Sequence, residues 1–281
     1  MSVVSEIARA IELLHLPVMQ RAMLSGILTG LTGGMLGSFT ILRQLSFFSD
    51  ALGHSALLGI SFGILLGWNP TAILLPFAVL FALGVTYLLE RTHLWTDALL
   101  NIIYSSSLAI AIVVLSFTNT YKGGLHHLLF GDILGVQELD LVFSAILLVA
   151  CTLFIALTLR TQMLITLHEP LAISSGVAVS AHRTAFIILL ALVVGISIKA
   201  IGVLLISAFV VIPACASQIL CRRFSQHVMF SAGLGAMSAV VGMLLSALMN
   251  LPSGPSIVIA QLGIFLWAMV YPRLHQALTR G

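Results

Sequence analysis

Apolar residues occupy long uninterrupted windows of this chain instead of alternating with polar ones. Segments without Asp, Glu, Lys or Arg cover residues 22–42, 51–89, 98–121, 141–159, 200–221 and 224–272. A helix needs about 20 mostly apolar residues to cross a bilayer, so the two longest windows each have room for two crossings. A transmembrane barrel would show short strands of alternating polarity instead. The pattern predicts an all-α, polytopic bundle of membrane helices.

Polar and helix-breaking residues divide these windows into about nine spans. Trp68-Asn69-Pro70 interrupts one window, and the run from Asn250 to Pro255 interrupts another. The predicted spans are 22–42, 50–67, 70–89, 98–118, 140–159, 184–198, 201–220, 226–249 and 255–271. The two segments on either side of Lys199 are short, which is compatible with a broken helix. Eight spans result if one segment does not cross.

Glycines recur at four-residue spacing in the first predicted span. Gly26, Gly30 and Gly34 would lie on one helix face, where small residues let two helix backbones approach closely in lipid. This spacing indicates buried helix–helix contacts and not a ligand site.

Composition agrees with a membrane protein and argues against other classes. Hydrophobic residues make up 60% of the 281 residues and charged residues 7%, whereas soluble domains carry about 25% charged residues. The chain has two lysines, Lys122 and Lys199, and no basic cluster beyond Arg222-Arg223, so nucleic acid is not an expected partner. We interpret residues 1–281 as a single transmembrane domain, with residues 1–18 as an interfacial amphipathic helix and not a cleavable signal.

The Lys and Arg residues are distributed unevenly between the two sides of the predicted bundle. With nine spans, eight of them fall on one side and four on the other. Short cytoplasmic loops are enriched in these residues. We therefore expect an external N-terminus and a cytoplasmic C-terminus.

The sequence carries no catalytic motif in the structural context that its chemistry requires. A P-loop needs a Lys followed by Ser or Thr, but Lys122 precedes Gly123 and Lys199 precedes Ala200. One Gly-x-Ser-x-Gly match occurs, from Gly59 to Gly63, but it lies inside a predicted apolar span and not at the strand-to-helix turn that a nucleophile elbow needs; no His-Glu-x-x-His motif is present. The chain is therefore not expected to bind ATP in the P-loop manner, and nothing indicates an enzyme.

Asp50 and His54 stand at the start of the second predicted span, four residues apart. Residues at this spacing share a helix face, and both side chain types are ordinary zinc ligands. An ionised Asp within a membrane is costly and usually faces a polar cavity or a partner. The alternative is an Asp at the membrane interface with the His packed against a neighbouring helix.

Two polar segments lie outside the predicted spans. On the external side, His126, His127 and Asp132 could capture a metal or dock a partner. On the cytoplasmic side, residues 160–183 form the longest polar segment. There Pro170 could start a short helix after Glu169, and Gly176 could end it.

Several stretches give the chain a family resemblance. "RQLSFFSDALGHSALLGISFGILLGWNP" (43–70) resembles the permease subunits of bacterial ABC importers for zinc, manganese and iron, and their Asp-x-x-x-His pattern falls on Asp50 and His54. Four further stretches match in order: "HHLLFGDILGV" (126–136), "HEPLAISSGV" (168–177), "GISIKAIGVLLISAFVVIPACAS" (195–217) and "PSGPSIVIA" (252–260). Gly53 departs from the family pattern, which has Ala or Ser before the His.

The resemblance implies a cobalamin-importer-like permease fold in the bacterial cytoplasmic (inner) membrane. It implies a second copy of the chain, a pair of separate ABC ATPase subunits inside and a metal-binding protein outside, with no bound cofactor. It makes Asp50 and His54 metal-handling residues, and Lys199 a candidate pathway or gating residue. The cytoplasmic contact with the ATPase would use Glu169, Pro170, Leu171, Ala172 and Gly176.

Within the family, "SIK" (197–199) is closer to zinc permeases than to manganese ones. Zinc is therefore the expected substrate, and the first alternative is manganese or iron on the same scaffold. A stand-alone secondary transporter or an intramembrane enzyme is the alternative of a different class.

Overall fold

The structure is a computed structural model that describes residues 16–68, 70–92, 94–117 and 131–279. Within these ranges the chain is helical and contains no strand. Ten α-helices follow in order: α1 Pro17–Leu42, α2 Phe48–Leu65, α3 Pro70–Arg91, α4 Thr96–Ser116, α5 Glu138–Leu167, α6 Glu169–Ser174, α7 Val179–Ile201, α8 Ile206–Leu220, α9 Phe224–Met249 and α10 Ser253–Thr279. A short 3-10 turn, Ile133–Gly135, precedes α5. The predicted all-α membrane bundle is confirmed.

Eight of the helices in the described part of the chain are long and apolar enough to cross a membrane. The remaining apolar helix, α8, has only 15 residues and is therefore about 22 Å long, shorter than the hydrocarbon core of about 30 Å. The predicted break near Lys199 is present. It lies at residues 202–205, where Gly202 has a φ of +89°.

Several helices extend beyond their predicted ends. α5 continues to Leu167 and α7 begins at Val179, so much of the polar segment 160–183 is helical. Charged residues end an apolar window but do not end a helix, because the backbone keeps its own hydrogen bonds outside the bilayer. The predicted interfacial helix over residues 1–18 lies outside the described residues except for its last three positions.

α1 lies inside the bundle, where it contacts α5, α7, α8 and α9. It runs antiparallel to α9, because Gly30 meets Gly235 and Gly34 meets Ser231. A Cβ added at Gly34 would lie 2.3 Å from the carbonyl oxygen of Ser231. The Ser231 hydroxyl donates a 2.6 Å hydrogen bond to the Gly34 carbonyl. The predicted contact role of the glycine face is therefore confirmed.

Gly34→Val should disrupt the packing of α1 on α9. Two backbones in contact cannot yield as a flexible side chain can, and overpacking costs typically 1–3 kcal/mol or more. We expect a clear fall in the melting temperature of the detergent-purified protein. Gly233→Val is the matched control, because a Cβ at Gly233 meets nothing within 4 Å. Equal melting temperatures for both variants would contradict the packing assignment.

Candidate functional site

A cleft of about 660 Å³ opens between α2, α4 and α8. Two carboxylates, one amide and two hydroxyl groups line it together with apolar side chains. The lining residues are Ser46, Phe47, Asp50, Asp97, Asn101, Ser207, Ala208, Val211 and Ile212. A cleft that offers polar groups among apolar helices is an environment in which a carboxylate within a membrane protein is tolerated.

Asp50 and Asp97 reach the cleft because α2 and α4 run parallel and both begin at the same end of the bundle. Asp50 lies in the first turn of α2, and Asp97 lies in the first turn of α4. A buried hydrogen bond of 2.6 Å joins the hydroxyl groups of Ser55 and Ser107 further along the two helices. The partly positive N-termini of both helices favour carboxylates at these positions.

His54 lies one turn beyond Asp50 and is half-buried. Its ring packs edge-on against Tyr104 of α4, with 4.9 Å between ring centroids, and it is not among the residues that line the cleft. Asp50 therefore lines the cleft and His54 packs against a neighbouring helix, and a metal-handling role for the two residues stays a prediction. Among the described residues, no group of three His, Cys, Asp or Glu side chains is close enough to hold a metal ion.

Sequence reasoning missed Asp97 and Asn101. Their segment, "TDALLN" (96–101), repeats the four-residue spacing of Asp50 and His54, with a carboxylate at a helix start and a second polar group one turn later. This repeated spacing is the feature of the sequence that could have identified the two residues. Only the parallel packing of α2 and α4 brings Asp97 to the same cleft as Asp50.

Lys199 lies at the other end of the bundle. Its Nζ is 2.6 Å from Oδ2 of Asp140 at the start of α5, and its carbonyl oxygen accepts a 3.1 Å hydrogen bond from the backbone N–H of Asp132. Lys199 does not line the cleft beside Asp50, so a pathway or gating role for it stays a prediction.

The predicted external docking residues are only partly described. His126 and His127 lie outside the described residues. The carboxylate of Asp132 accepts a 3.0 Å hydrogen bond from the backbone N–H of Gly135 and so caps the short 3-10 turn. External docking through these three residues stays a prediction.

The short helix predicted after residue 168 is present as α6. Pro170 occupies its first turn, and Gly176 follows its C-terminus with a φ of +77°. The backbone N–H of Val177 donates to the carbonyl of Ala172, and that of Gly176 donates to Ile173. This bonding pattern requires a left-handed residue, which glycine adopts without steric cost.

The side chains of α6 differ in their exposure to solvent. Leu171 and Ile173 are 54% and 60% exposed, whereas Ala172 is fully buried and packs in a small cluster with Ile165 and Val179. Oε1 of Glu169 lies 2.6 Å from a guanidinium nitrogen of Arg183 at the start of α7. The methyl group of Ala172 therefore packs α6 onto the bundle instead of facing outward, and a coupling role for the residues of α6 stays a prediction.

Comparison with known proteins gives the family. The model of the ABC 3 transport family matches residues 15–272. The chain belongs to this family. ABC 3 proteins are membrane permeases of ABC importers, so this chain is a multi-pass transport subunit of the cytoplasmic membrane, and a separate partner hydrolyses ATP.

Relatives of this ABC 3 permease are named for the transport of two different metals, zinc and manganese. It is 35% identical over 247 residues to the high-affinity zinc uptake system membrane protein ZnuB of Buchnera aphidicola, with 86% of this chain and 94% of that protein covered. It is 27% identical over 259 residues to the manganese transport system membrane protein MntC of Listeria monocytogenes, with 92% of each covered. The solved structure of PsaBC from Streptococcus pneumoniae in complex with Fab matches with a TM-score of 0.80 at 28% identity, covering 93% of this chain and 95% of that one.

Ala172→Asp should destabilise the end of the ABC 3 permease that contains α6. The variant would bury a carboxylate with no partner, which costs several kcal/mol. We expect a lower melting temperature and faster proteolysis between residues 160 and 183. Leu171→Asp is the matched control on an exposed neighbour and should leave both measurements near wild type. Equal effects of the two substitutions would contradict the assigned direction of Ala172.

Proposed function

We propose that the chain imports zinc as the permease of an ATP-driven transporter, with Asp50, His54 and Asp97 handling the ion. The observation that supports this most is the cleft shared by Asp50 and Asp97, with His54 one helical turn away. In this proposal a second copy of the chain completes the pathway, and a metal-binding protein delivers the ion from outside.

The cost of carboxylates in a membrane is the physical argument for a cation pathway. Two ionised Asp side chains facing one cleft repel each other, and a low dielectric strengthens the repulsion. A divalent cation offsets both charges and is the largest local charge when it passes. An ion held by few protein ligands also leaves readily, as conduction requires.

Zinc is favoured by the imidazole of His54. Imidazole nitrogen suits zinc, whereas carboxylate, carbonyl and water oxygen suit manganese. In this proposal His54 exchanges its contact with Tyr104 for contact with an ion beside Asp50 during transport. The ligand set would then be mixed nitrogen and oxygen.

Manganese is the second candidate, and one observation favours it. The polar side chains that line the cleft carry oxygen donors, Asp50, Asp97 and Asn101 among them, and His54 is not part of that lining. An ion bound to the cleft in this conformation would meet an oxygen-rich site, which suits manganese. The dependence of transport on His54 separates the two candidates.

Asp50→Asn and Asp97→Asn should each reduce metal uptake at least tenfold in proteoliposomes containing the permease, its ATPase and its binding protein. Each substitution keeps the size of the side chain but removes a negative charge from the cleft. Glu138→Gln is the matched control, because Glu138 is exposed and pairs with Arg21 away from the cleft. Near-normal uptake by both Asp variants would overturn the proposed pathway.

His54→Ala tests the choice of metal in the same assay. If zinc is the substrate, uptake of radiolabelled zinc should fall at least tenfold while the complex still assembles. Uptake of radiolabelled manganese that exceeds that of zinc in wild type and persists in His54→Ala would establish the manganese alternative.

We further propose that α6 is the contact for the ATPase. Two exposed aliphatic side chains, Leu171 and Ile173, lie on a helix of six residues at the predicted cytoplasmic end. That end also holds Arg43, Arg91 and Arg183, as expected of the cytoplasmic side. Apolar groups on a rigid short helix outside the spans suit insertion into a cleft of a soluble partner.

Leu171→Asp with Ile173→Asp should uncouple the transporter. We expect metal-stimulated ATP hydrolysis and uptake to fall at least tenfold in the reconstituted complex, because the apolar contact is replaced by desolvated charge. The protein should keep its melting temperature, since both side chains are exposed. Ser174→Asp is the control on the same helix. Unchanged coupling in the double variant would mean that the ATPase binds elsewhere.

A further inference from the structure

Arg43 occupies the turn between α1 and α2, close to the residues that enter the cleft. The turn closes through hydrogen bonds from the N–H of Gln44 to Ile41 and from the N–H of Leu45 to Thr40, and Gln44 has a φ of +56°. Residues other than glycine are unfavourable in this conformation. We therefore infer that contacts outside the turn help to hold Gln44 in it. The next residues of the turn, Ser46 and Phe47, line the cleft.

The guanidinium of Arg43 is bonded to the last turns of α5. Nε donates to the hydroxyl of Thr166 at 3.0 Å, and one terminal nitrogen donates to Oε1 of Gln162 at 2.6 Å. The Thr166 hydroxyl in turn donates to the carbonyl of Gln162 at 2.7 Å. The guanidinium also lies 4.5 Å from the ring centroid of Phe186 on α7. This planar, forked arrangement is one that Lys cannot reproduce.

The terminal nitrogen of Arg43 donates to a buried acceptor, the side chain of Gln162. Its side chain is fully buried, and Arg43 supplies the hydrogen bond to Oε1. Burial, followed by the nearby charge of Arg183, lowers the pKa of Arg43 to about 10, which still leaves it charged at neutral pH. The result is a half-buried cation that belongs to the turn before α2 and is hydrogen-bonded to α5.

The helix to which Arg43 is clamped leads directly into α6. Only His168 separates the end of α5 from the start of α6. Glu169 of α6 pairs with Arg183 of α7. A cavity of about 300 Å³ lies between these groups and is lined by Arg43, Thr166, Glu169 and Arg183 among others. The cavity gives the end of α5 and α6 room to shift relative to the turn.

We propose that Arg43 is a positioning residue that transmits movement of α6 to the metal cleft. A shift of α6 moves the last turns of α5, and the hydrogen bonds to Thr166 and Gln162 pull the turn at Arg43 with them. Ser46 and Phe47 belong to this connecting segment, and Asp50 follows in the first helical turn of α2. This inference rests on the proposed function for the roles of α6 and Asp50, and it adds the residue that connects them.

Arg43→Met combined with Gln162→Leu tests the connection without leaving a buried polar group unpaired. Replacing both partners of a hydrogen bond by apolar groups is far less disruptive than removing one. The measured quantity is metal ions transported per ATP hydrolysed, in proteoliposomes with the ATPase and binding protein and with radiolabelled zinc or manganese as the probe. We expect this ratio to fall at least tenfold while the melting temperature stays near wild type.

Single variants separate coupling from stability. Arg43→Met alone should lower both the ratio and the melting temperature, because Oε1 of Gln162 loses its donor. Arg43→Lys should recover part of the ratio, since it keeps the charge but not the fork. Arg21→Met is the matched control, because Arg21 pairs with Glu138 on the surface at the other end of the bundle, and its ratio should be unchanged.

Two results would overturn the proposal. One is a ratio within twofold of wild type in the double variant, which would make the Arg43 contact one of packing alone. The other is a parallel loss of ATP hydrolysis and uptake at constant ratio. Failure of the proposed metal pathway is a separate outcome, which normal uptake in the Asp50 and Asp97 variants would reveal. The ratio of metal transported to ATP hydrolysed in the Arg43 variants can be measured for whichever metal the wild type transports.

Discussion

The close approach of α1 to its neighbours is the contact on which the bundle depends. Lipid offers no hydrophobic gain when two apolar helices meet, so association relies on close packing and hydrogen bonds. At Gly34 and Gly37 an added Cβ would lie 2.3 Å and 2.0 Å from carbonyl oxygens of α9 and α8. With α9 and α8 held so closely, the short helix α8 can present Ser207 to the cleft that contains Asp50.

Charge is used sparingly, and most described charges have a partner or a polar opening. Arg21 pairs with Glu138 and Lys199 with Asp140 at one end of the bundle, whereas Glu169 pairs with Arg183 at the other. Asp50 and Asp97 instead face a shared cleft. Opposite charges in a pair compensate each other, whereas two carboxylates that face one cleft do not.

The predicted cytoplasmic end brings α6, the end of α5 and the turn before α2 close together. α6 is held by the buried methyl group of Ala172 on one side and by the pair between Glu169 and Arg183 on the other. Arg43 reaches the same cavity from the turn before α2. A partner that shifted one of these elements would also shift its neighbours, because packed groups move in discrete steps and do not deform smoothly.

The sequence by itself determined the class of the protein, the number of spans within one, the break after Lys199, the glycine contacts of α1 and the helix that Gly176 ends. Each of these follows from local chemistry: apolar length, helix breaking, small side chains at fixed spacing and a left-handed turn residue. Only the tertiary structure decided which polar groups meet. Asp97 joins Asp50, His54 packs on Tyr104, Ala172 turns inward and Arg43 bonds to Gln162, 119 residues away. Periodicity defines the face of one helix, but the neighbour of that face depends on how all the helices pack, and no single segment contains that information.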